Sequence, residues 1–328
     1  VICVLAGGVG AARFLTGLVQ IMAPHDVVAV VNIGDDTVLH GLHISPDLDT
    51  VTYTLADAID RDRGWGLAGE TWHAMEALDR YGGLTWFRLG DRDLATHLFR
   101  THRLGEGATL SEVTAEIARA WEVDVRLLPV TDDPVRTHMT ATIEGSPRDL
   151  SFQEYFVQHR HGVAVREVRI EGAEEAVAAE GVIDAIEEAD VVVIAPSNPI
   201  VSIGPVLAVP GVRDAVASRR DRVVAVSPII AGAALKGPAD RLLTELGHES
   251  SVVGVARLYR DVAATLVVDE ADAALAGAVE TEGIRCVVAP TIMTGPAEAA
   301  ALAAVVVEAG RRGAGGRGVA ADPGDGVR

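Results

Sequence analysis

The opening of the chain alternates between uninterrupted apolar runs and helical spacing. VICVLA (1–6) is wholly apolar and stops at the loop GGVG. AARFLTGLVQIM follows, with Phe14, Leu15, Leu18, Ile21 and Met22 recurring at the spacing of one helix face. VVAVVNI (27–33) is a second apolar run, so the chain begins strand, glycine loop, helix, strand. Further on, ETWHAMEAL and DRDLATHLFRTHRL read as helices. In the second, Leu94, Ala95, Leu98 and Phe99 form the apolar face and Asp91 is placed to cap its start. Thr109 and Glu112 have the spacing of a capping box at the next helix.

From residue 125 to 170 the helical period fades. VRLLPV, HMTATI, LSFQEYFV and VAVREVRI read as strands of a β-rich insertion. The alternation then resumes with a helix over 174–189, the runs DVVVIA and RVVAVS, and strands near Leu266 and Val287. Such runs, each ended by Pro and Ser, suit strands covered on both faces. The pattern predicts an α/β fold, a doubly wound, mostly parallel Rossmann-like sheet with a smaller β-rich insertion. Residues 1–124 form the first half of the core, 125–170 the insertion, 171–309 the second half, and 310–328 a Gly/Arg-rich disordered tail. Ligands bind such sheets beyond the carboxyl ends of the strands. GGVG, NIGDD, APSNP and VSPII all fall there.

The 328 residues are 49% hydrophobic but only 4% aromatic, so the core must rest on Val, Leu, Ile and Ala. A net charge of -19 argues against nucleic acid or an anionic membrane as partner. Lys236 is the single lysine. Cys3 and Cys286, each in a strand-like run, are expected as buried free thiols in a reducing compartment. No apolar run approaches the ~18–20 residues of a membrane span, and VICVLA has no basic leader. A cytoplasmic location is expected.

Chemistry concentrates where the apolar pattern breaks. Asp35 and Asp36 end the second strand, and Asp47 and Asp49 follow in SPDLDTVTYTL. In an extended loop Asp47 and Asp49 face the same side. If a helix starts at Asp49, that residue is a cap and Asp47 alone is free. Gly7, Gly8 and Gly10 open a helix and let backbone N–H groups approach an anion. Arg13 spoils the dinucleotide fingerprint, and no Gly-Lys-Ser/Thr follows. Hard divalent cations take oxygen ligands, and magnesium commonly joins one or two carboxylates to substrate phosphates. A glycine loop beside an aspartate cluster therefore points to Mg2+ on a diphosphate. Arg92, at a helix start, is suited to an anion, whereas Asp93 and His97 are spaced to pair with each other. Trp65, between two glycines, offers a face for a flat ligand. Ser197 and Asn198 end a buried strand with hydrogen-bonding side chains, or simply make a turn. His40, His43 and His73 lack metal-motif spacing.

GGVGAARFL, VVNIGDD, ISPDLDTVTYTL, RGWG, LGDRDLATH, LLPVTDDPVRT, APSNPIVSIGP and VSPII together resemble the 2-phospho-L-lactate transferases of coenzyme F-420 biosynthesis. The resemblance runs to about residue 300 and is nearer the actinobacterial branch; Ala11 departs from a glycine usual there. It implies a Mg2+-dependent homodimeric transferase whose donor is guanosine diphosphate carrying a three-carbon acid, lactyl or enolpyruvyl. The acceptor is the terminal ribityl hydroxyl of the deazaflavin Fo, and GMP leaves. By motif, Asp49 and Arg92 correspond to Fo-contacting residues, with Asp49 also the candidate catalytic group. Gly7, Gly8, Gly10, Ser197 and Asn198 would serve the guanine nucleotide and Asp36 the substrate. Asp35, Asp47 and Asp49 are the candidate metal ligands. A gluconeogenesis-factor-like regulator that binds sugar nucleotides shares the glycine opening and the Asp-Asp strand end, but has no evident need for SPDLDTVTYTL or GDRDLATH.

Overall fold

The structure, a computed structural model, describes residues 1–314. In chain order the strands and α-helices of the first half are β1 (Ile2–Ala6), α1 (Val9–Ile21), β2 (Val27–Val31), β3 (Thr37–Leu39), β4 (Leu42–Ile44), α2 (Pro46–Leu55), α3 (His73–Arg80), α4 (Asp93–Gly105), α5 (Leu110–Ala120) and β5 (Arg126–Pro129). Then come β6 (Arg136–Ile143), β7 (Ser146–Ser151), β8 (Ala164–Glu171), α6 (Val182–Glu188), β9 (Val191–Ile194), α7 (Ile203–Ala208), α8 (Val212–Ser218) and β10 (Val223–Val226). The chain continues through β11 (Ile229–Ile230), β12 (Ala233–Ala234), α9 (Ala239–Glu245), α10 (Val252–Tyr259), β13 (Thr265–Val268), α11 (Ala276–Thr281), β14 (Arg285–Val288) and α12 (Pro296–Ala314).

Seven strands form one parallel sheet in the order β14-β13-β10-β9-β1-β2-β5. β1 lies between β2 and β9, and the chain winds outward from it in both directions. This is the doubly wound arrangement expected from the apolar runs. The central strands β1, β2, β9, β10 and β13 are buried along their whole length because helices cover both faces. Val, Ile, Leu and Ala dominate this core, with Phe14 of α1 fully buried in it. α1 packs tightly on α12, where a Cβ at Gly17 would overlap the backbone of Ala299. Cys3 is buried in β1 and Cys286 half-buried in β14, both as free thiols. Among the described residues no helix is long and apolar enough to cross a membrane.

Several local expectations change. The strand at Arg126–Pro129 belongs to the core sheet, pairing in parallel with β2, so the separate antiparallel sheet β7-β6-β8 begins only at Arg136. An apolar run of this length does not reveal which sheet it joins. LSFQEYFV is strand only to Ser151; Glu154 then accepts from the backbone N–H and hydroxyl of Ser151, both at 2.8 Å, and a wide helical turn follows over Glu154–Gln158. The helix expected over 174–189 starts at Val182, after Gly181 in the left-handed region at φ 83°. Residues 310–314, expected to belong to a disordered tail, instead continue α12, which runs to Ala314; the rest of that expected tail, 315–328, lies outside the described residues.

Candidate functional site

A cleft of about 820 Å³ opens beyond the carboxyl ends of β1, β2, β9 and β10. It lies at the point where the strand order reverses, between β1 and β9. The two loops that leave these strands meet there. Gly7 N–H donates to Ser197 Oγ at 3.3 Å. A Cβ on Gly10 would run into the Pro196 carbonyl, and one on Gly8 would overlap Asp47 Oδ1. Small residues are therefore required for close approach. No side chain caps the start of α1, so its first N–H groups are free to meet an anion. Asn198 adds a donor of fixed direction. Its Oδ1 accepts from the N–H groups of Ile200 and Val201 at 2.9 and 3.4 Å, leaving a buried Nδ2 without a partner in a residue that lines the cleft.

The aspartate cluster divides into three. Asn32, fully buried at the end of β2, donates from Nδ2 to Asp35 Oδ1 at 2.9 Å and to Asp47 Oδ2 at 3.0 Å. Both carboxylates line the cleft. Asp36 instead accepts from Ser45 Oγ at 2.7 Å and does not itself line the cleft. Burial pushes the Asp36 and Asp47 carboxyls up to about 7. Asp35 rises well above the usual carboxylate range, first through burial and then through the charges of Asp47 and Asp36. Three buried carboxyls with raised pKa form a site that a divalent cation would relieve, and Asp35 with Asp47 supplies the cleft-facing oxygens such an ion takes.

Asp49 stands apart from that pair. Neither reading of its setting holds, because α2 starts at Pro46 and places both Asp47 and Asp49 within its first turn. Two residues apart on a helix, they diverge: Asp47 turns to Asn32, while Asp49 turns to α4. There Arg100 Nη1 donates to Asp49 Oδ2 at 3.2 Å and Arg100 Nη2 contacts Asp49 Oδ1. Asp49, Asp93 and His97 also converge closely enough to ligate an ion, but the buried guanidinium already supplies the positive charge. Asp49 thus has a buried cation, Arg100, already paired with it, whereas Asp35 and Asp47 have none so close.

The far wall is aromatic and cationic. Trp65, Trp86, Phe87, Arg63 and Arg88 line it. Arg63 lies over Trp65 and Trp72 at 5.4 and 5.1 Å from the ring centroids, and Arg88 lies over Trp72 at 4.5 Å. Arg92 is elsewhere: its Nη1 donates to the Ala68 carbonyl at 2.6 Å, and it does not line the cleft. Arg88, four residues earlier, occupies the wall instead. The segment is fixed by two exchanged caps. Asp91, expected to cap α4, accepts from the N–H groups of His73 and Ala74 at the start of α3, at 2.9 and 3.0 Å. Glu70, just before α3, accepts from the N–H groups of Arg92 and Asp93 at the start of α4, at 2.8 and 2.9 Å. The hydroxyl of Thr71 and these N–H groups hold the Asp91 carboxyl far below its ordinary range.

Sequence reading alone did not single out Asn32, Arg88, Arg100, Trp86 or Gln153. Asn32 immediately follows a buried strand, a position from which a polar side chain must face the crevice; that was its available signal. Gln153, whose Nε2 donates to the Asp35 carbonyl at 2.9 Å from the helical turn after β7, had none.

Fold and site together define a doubly wound α/β protein with an acidic, aromatic-walled cleft at its switch point. Residues 2–301 match the family described as 2-phospho-L-lactate transferase CofD, and the chain belongs to that family. It is 46% identical over 309 residues to the phosphoenolpyruvate transferase of Streptomyces griseus, covering 94% of this chain and 97% of that protein. With the phosphoenolpyruvate transferase of Mycolicibacterium smegmatis it shares 44% identity over 318 residues, covering 92% and 96%. A crystal structure of a UPF0052-family protein from Bacillus halodurans has the same fold, with a TM-score of 0.59 at 15% identity over 93% of this chain and 98% of that one. The protein is therefore an enzyme, a transferase, which sets aside the purely regulatory reading.

Proposed function

We propose that the enzyme transfers a phosphoenolpyruvyl group, or its 2-phospho-L-lactyl counterpart, from a guanosine-diphosphate donor to the ribityl hydroxyl of the deazaflavin Fo. The names of the relatives favour the enolpyruvyl donor. The observation that carries the reading is the meeting, in one cleft, of an uncapped helix start, the Asp35–Asp47 pair and an aromatic wall.

In this reading the diphosphate lies against the start of α1, where backbone N–H groups hold its oxygens. Asn198 Nδ2 donates to the nucleotide. Trp65, Trp86 and Phe87 receive the flat deazaflavin, with Arg88 at its edge. Asp35 and Asp47 would hold Mg2+, with Asn32 fixing their orientation. When bound, the ion supplies charge neutralisation for the diphosphate and the GMP leaving group. The hydroxyl oxygen forms a bond to the phosphorus adjoining the three-carbon acid as the bond from that phosphorus to GMP breaks. GMP departs with the electron pair and the hydroxyl proton is released. Asp49 lines the cleft at the acceptor side and accepts a hydrogen bond from the attacking hydroxyl.

Purified protein would be incubated with Fo, Mg2+ and each guanosine-diphosphate donor, with and without EDTA, and GMP and product followed by chromatography. Metal-dependent GMP release with a phosphodiester-linked deazaflavin is expected. Absence of turnover with the enolpyruvyl, lactyl and glyceryl donors alike would overturn the proposal.

A further inference from the structure

α4 is turned inside out. Of the face defined by hydrophobic spacing only Leu94 packs partly inside; Ala95, Leu98 and Phe99 are outside, Leu98 57% and Phe99 42% exposed, while the buried positions are Asp93, Thr96, His97 and Arg100. Burying an arginine, an aspartate and an imidazole carries a desolvation cost that an apolar face would not. The buried groups are linked in a chain of close contacts, in which the buried His97 Nε2 and Arg100 Nε make no hydrogen bond. Tyr53 Oη donates to Asp93 Oδ1 at 2.7 Å, and Asp93 Oδ2 lies 3.3 Å from His97 Nε2. His97 Nδ1 lies 3.3 Å from Arg100 Nη1, which also contacts the His43 carbonyl at 3.3 Å and reaches Asp49 Oδ2 at 3.2 Å. Asp49, Tyr53, Asp93 and His97 line the cleft, whereas Arg100 lies behind them and does not.

We propose that Arg100 is a positioning residue that fixes the plane of the Asp49 carboxylate from behind, with His97 and Asp93 bracing the guanidinium. This deepens the reading above and rests on it, since the group being aimed is the acceptor hydroxyl. Two donors from one rigid guanidinium lock the rotation of a carboxylate in a way a single ammonium does not. Each Asp49 oxygen keeps a lone pair for the cleft. The held carboxylate therefore accepts the hydroxyl's hydrogen bond in one direction, toward the donor phosphorus. A polar face turned inward is the arrangement that lets α4 reach Asp49 from behind.

The test is a double-mutant cycle on the full chain with R100K, D49N and the double variant. Readouts are kcat, the KM for Fo, Fo binding by its own fluorescence, and GDP binding. R100K keeps the charge but loses the bidentate lock; kcat is expected to fall ~10- to 100-fold, in the range of a slightly misplaced reacting group. GDP binding is expected to be unchanged. In the D49N background R100K is expected to add no further loss, because its effect passes through Asp49. If R100K does not fold, H97Q, which leaves both Asp49 and Arg100 in place, takes its part in the same cycle. Wild-type kcat in R100K, or a loss that multiplies fully with D49N, overturns the positioning role while leaving the transferase reading intact. A wild-type protein that neither binds Fo nor releases GMP overturns both.

Discussion

The carboxylate of Asp47 occupies the space that a Cβ on Gly8 would need. The start of α1 and the first turn of α2 are thus in contact through a glycine that has no room to become alanine. Gly8→Ala must push Asp47 off Asn32 or shift the loop. A stability loss of ~1–3 kcal/mol is expected from the forced contact. Turnover is expected to fall more than 100-fold, the scale of a group displaced by about an ångström. Thermal midpoints and steady-state kinetics on one preparation separate the two effects. Near-normal turnover would show that Asp47 need not stay where it is.

Asn32→Leu leaves Asp35 and Asp47 adjacent without their shared donor. Losing two hydrogen bonds at a buried site costs on the order of 1–3 kcal/mol while the carboxyls are neutral, and more when they are charged. The expected result is a metal-free protein with a lowered urea midpoint and a weaker response to Mg2+. An unchanged Mg2+ titration would place the ion elsewhere.

The raised carboxyls give a pH dependence of defined sign. In the unfolded chain Asp36 and Asp47 titrate near 3.8, whereas folding moves both to about 7. Between these values the native state binds more protons than the unfolded one, so stability falls as pH rises and the loss is complete above about 7. Metal-free unfolding midpoints at pH 5, 6, 7 and 8 should decline across the series. Mg2+ must displace the Asp47 proton, so its affinity should rise with pH over that window. A metal-free midpoint that climbs from pH 5 to pH 8 would contradict this assignment.

Arg88 and Arg92 make a direct comparison. Arg88→Ala removes a cation from the aromatic wall, and the KM for Fo is expected to rise about 10-fold or more, the cost of one charge-assisted contact. Arg92→Ala loses its bond to the Ala68 carbonyl and is expected to change KM far less. The reverse order would return Arg92 to the acceptor site.

The sheet was legible because strands covered on both faces need unbroken apolar runs, and these stand out against any helix period. The meeting of the glycine loop with Ser197 and Asn198 followed from strand order alone. The start of α2 had its signal in Ser45-Pro46, since proline favours the first helical position. α4 was misread for a physical reason. Hydrophobic spacing assumes that the apolar face is the buried one, and here the buried partners, Tyr53 and Asp49, lie 40 and 51 residues from Asp93 and Arg100. Arg88 and Arg92 likewise share a segment and a charge. Only the exchanged caps, made by residues about twenty positions apart, decide which of the two faces the cleft.

Those caps tie two helices into a single hinge-free joint. Glu70 holds the start of α4 and Asp91 the start of α3, so neither helix can unravel from its beginning without releasing the other. Trp72 and Arg88 lie inside the span they close. The aromatic wall between them is thus a latch with two tongues, each cap holding the other helix's beginning in place.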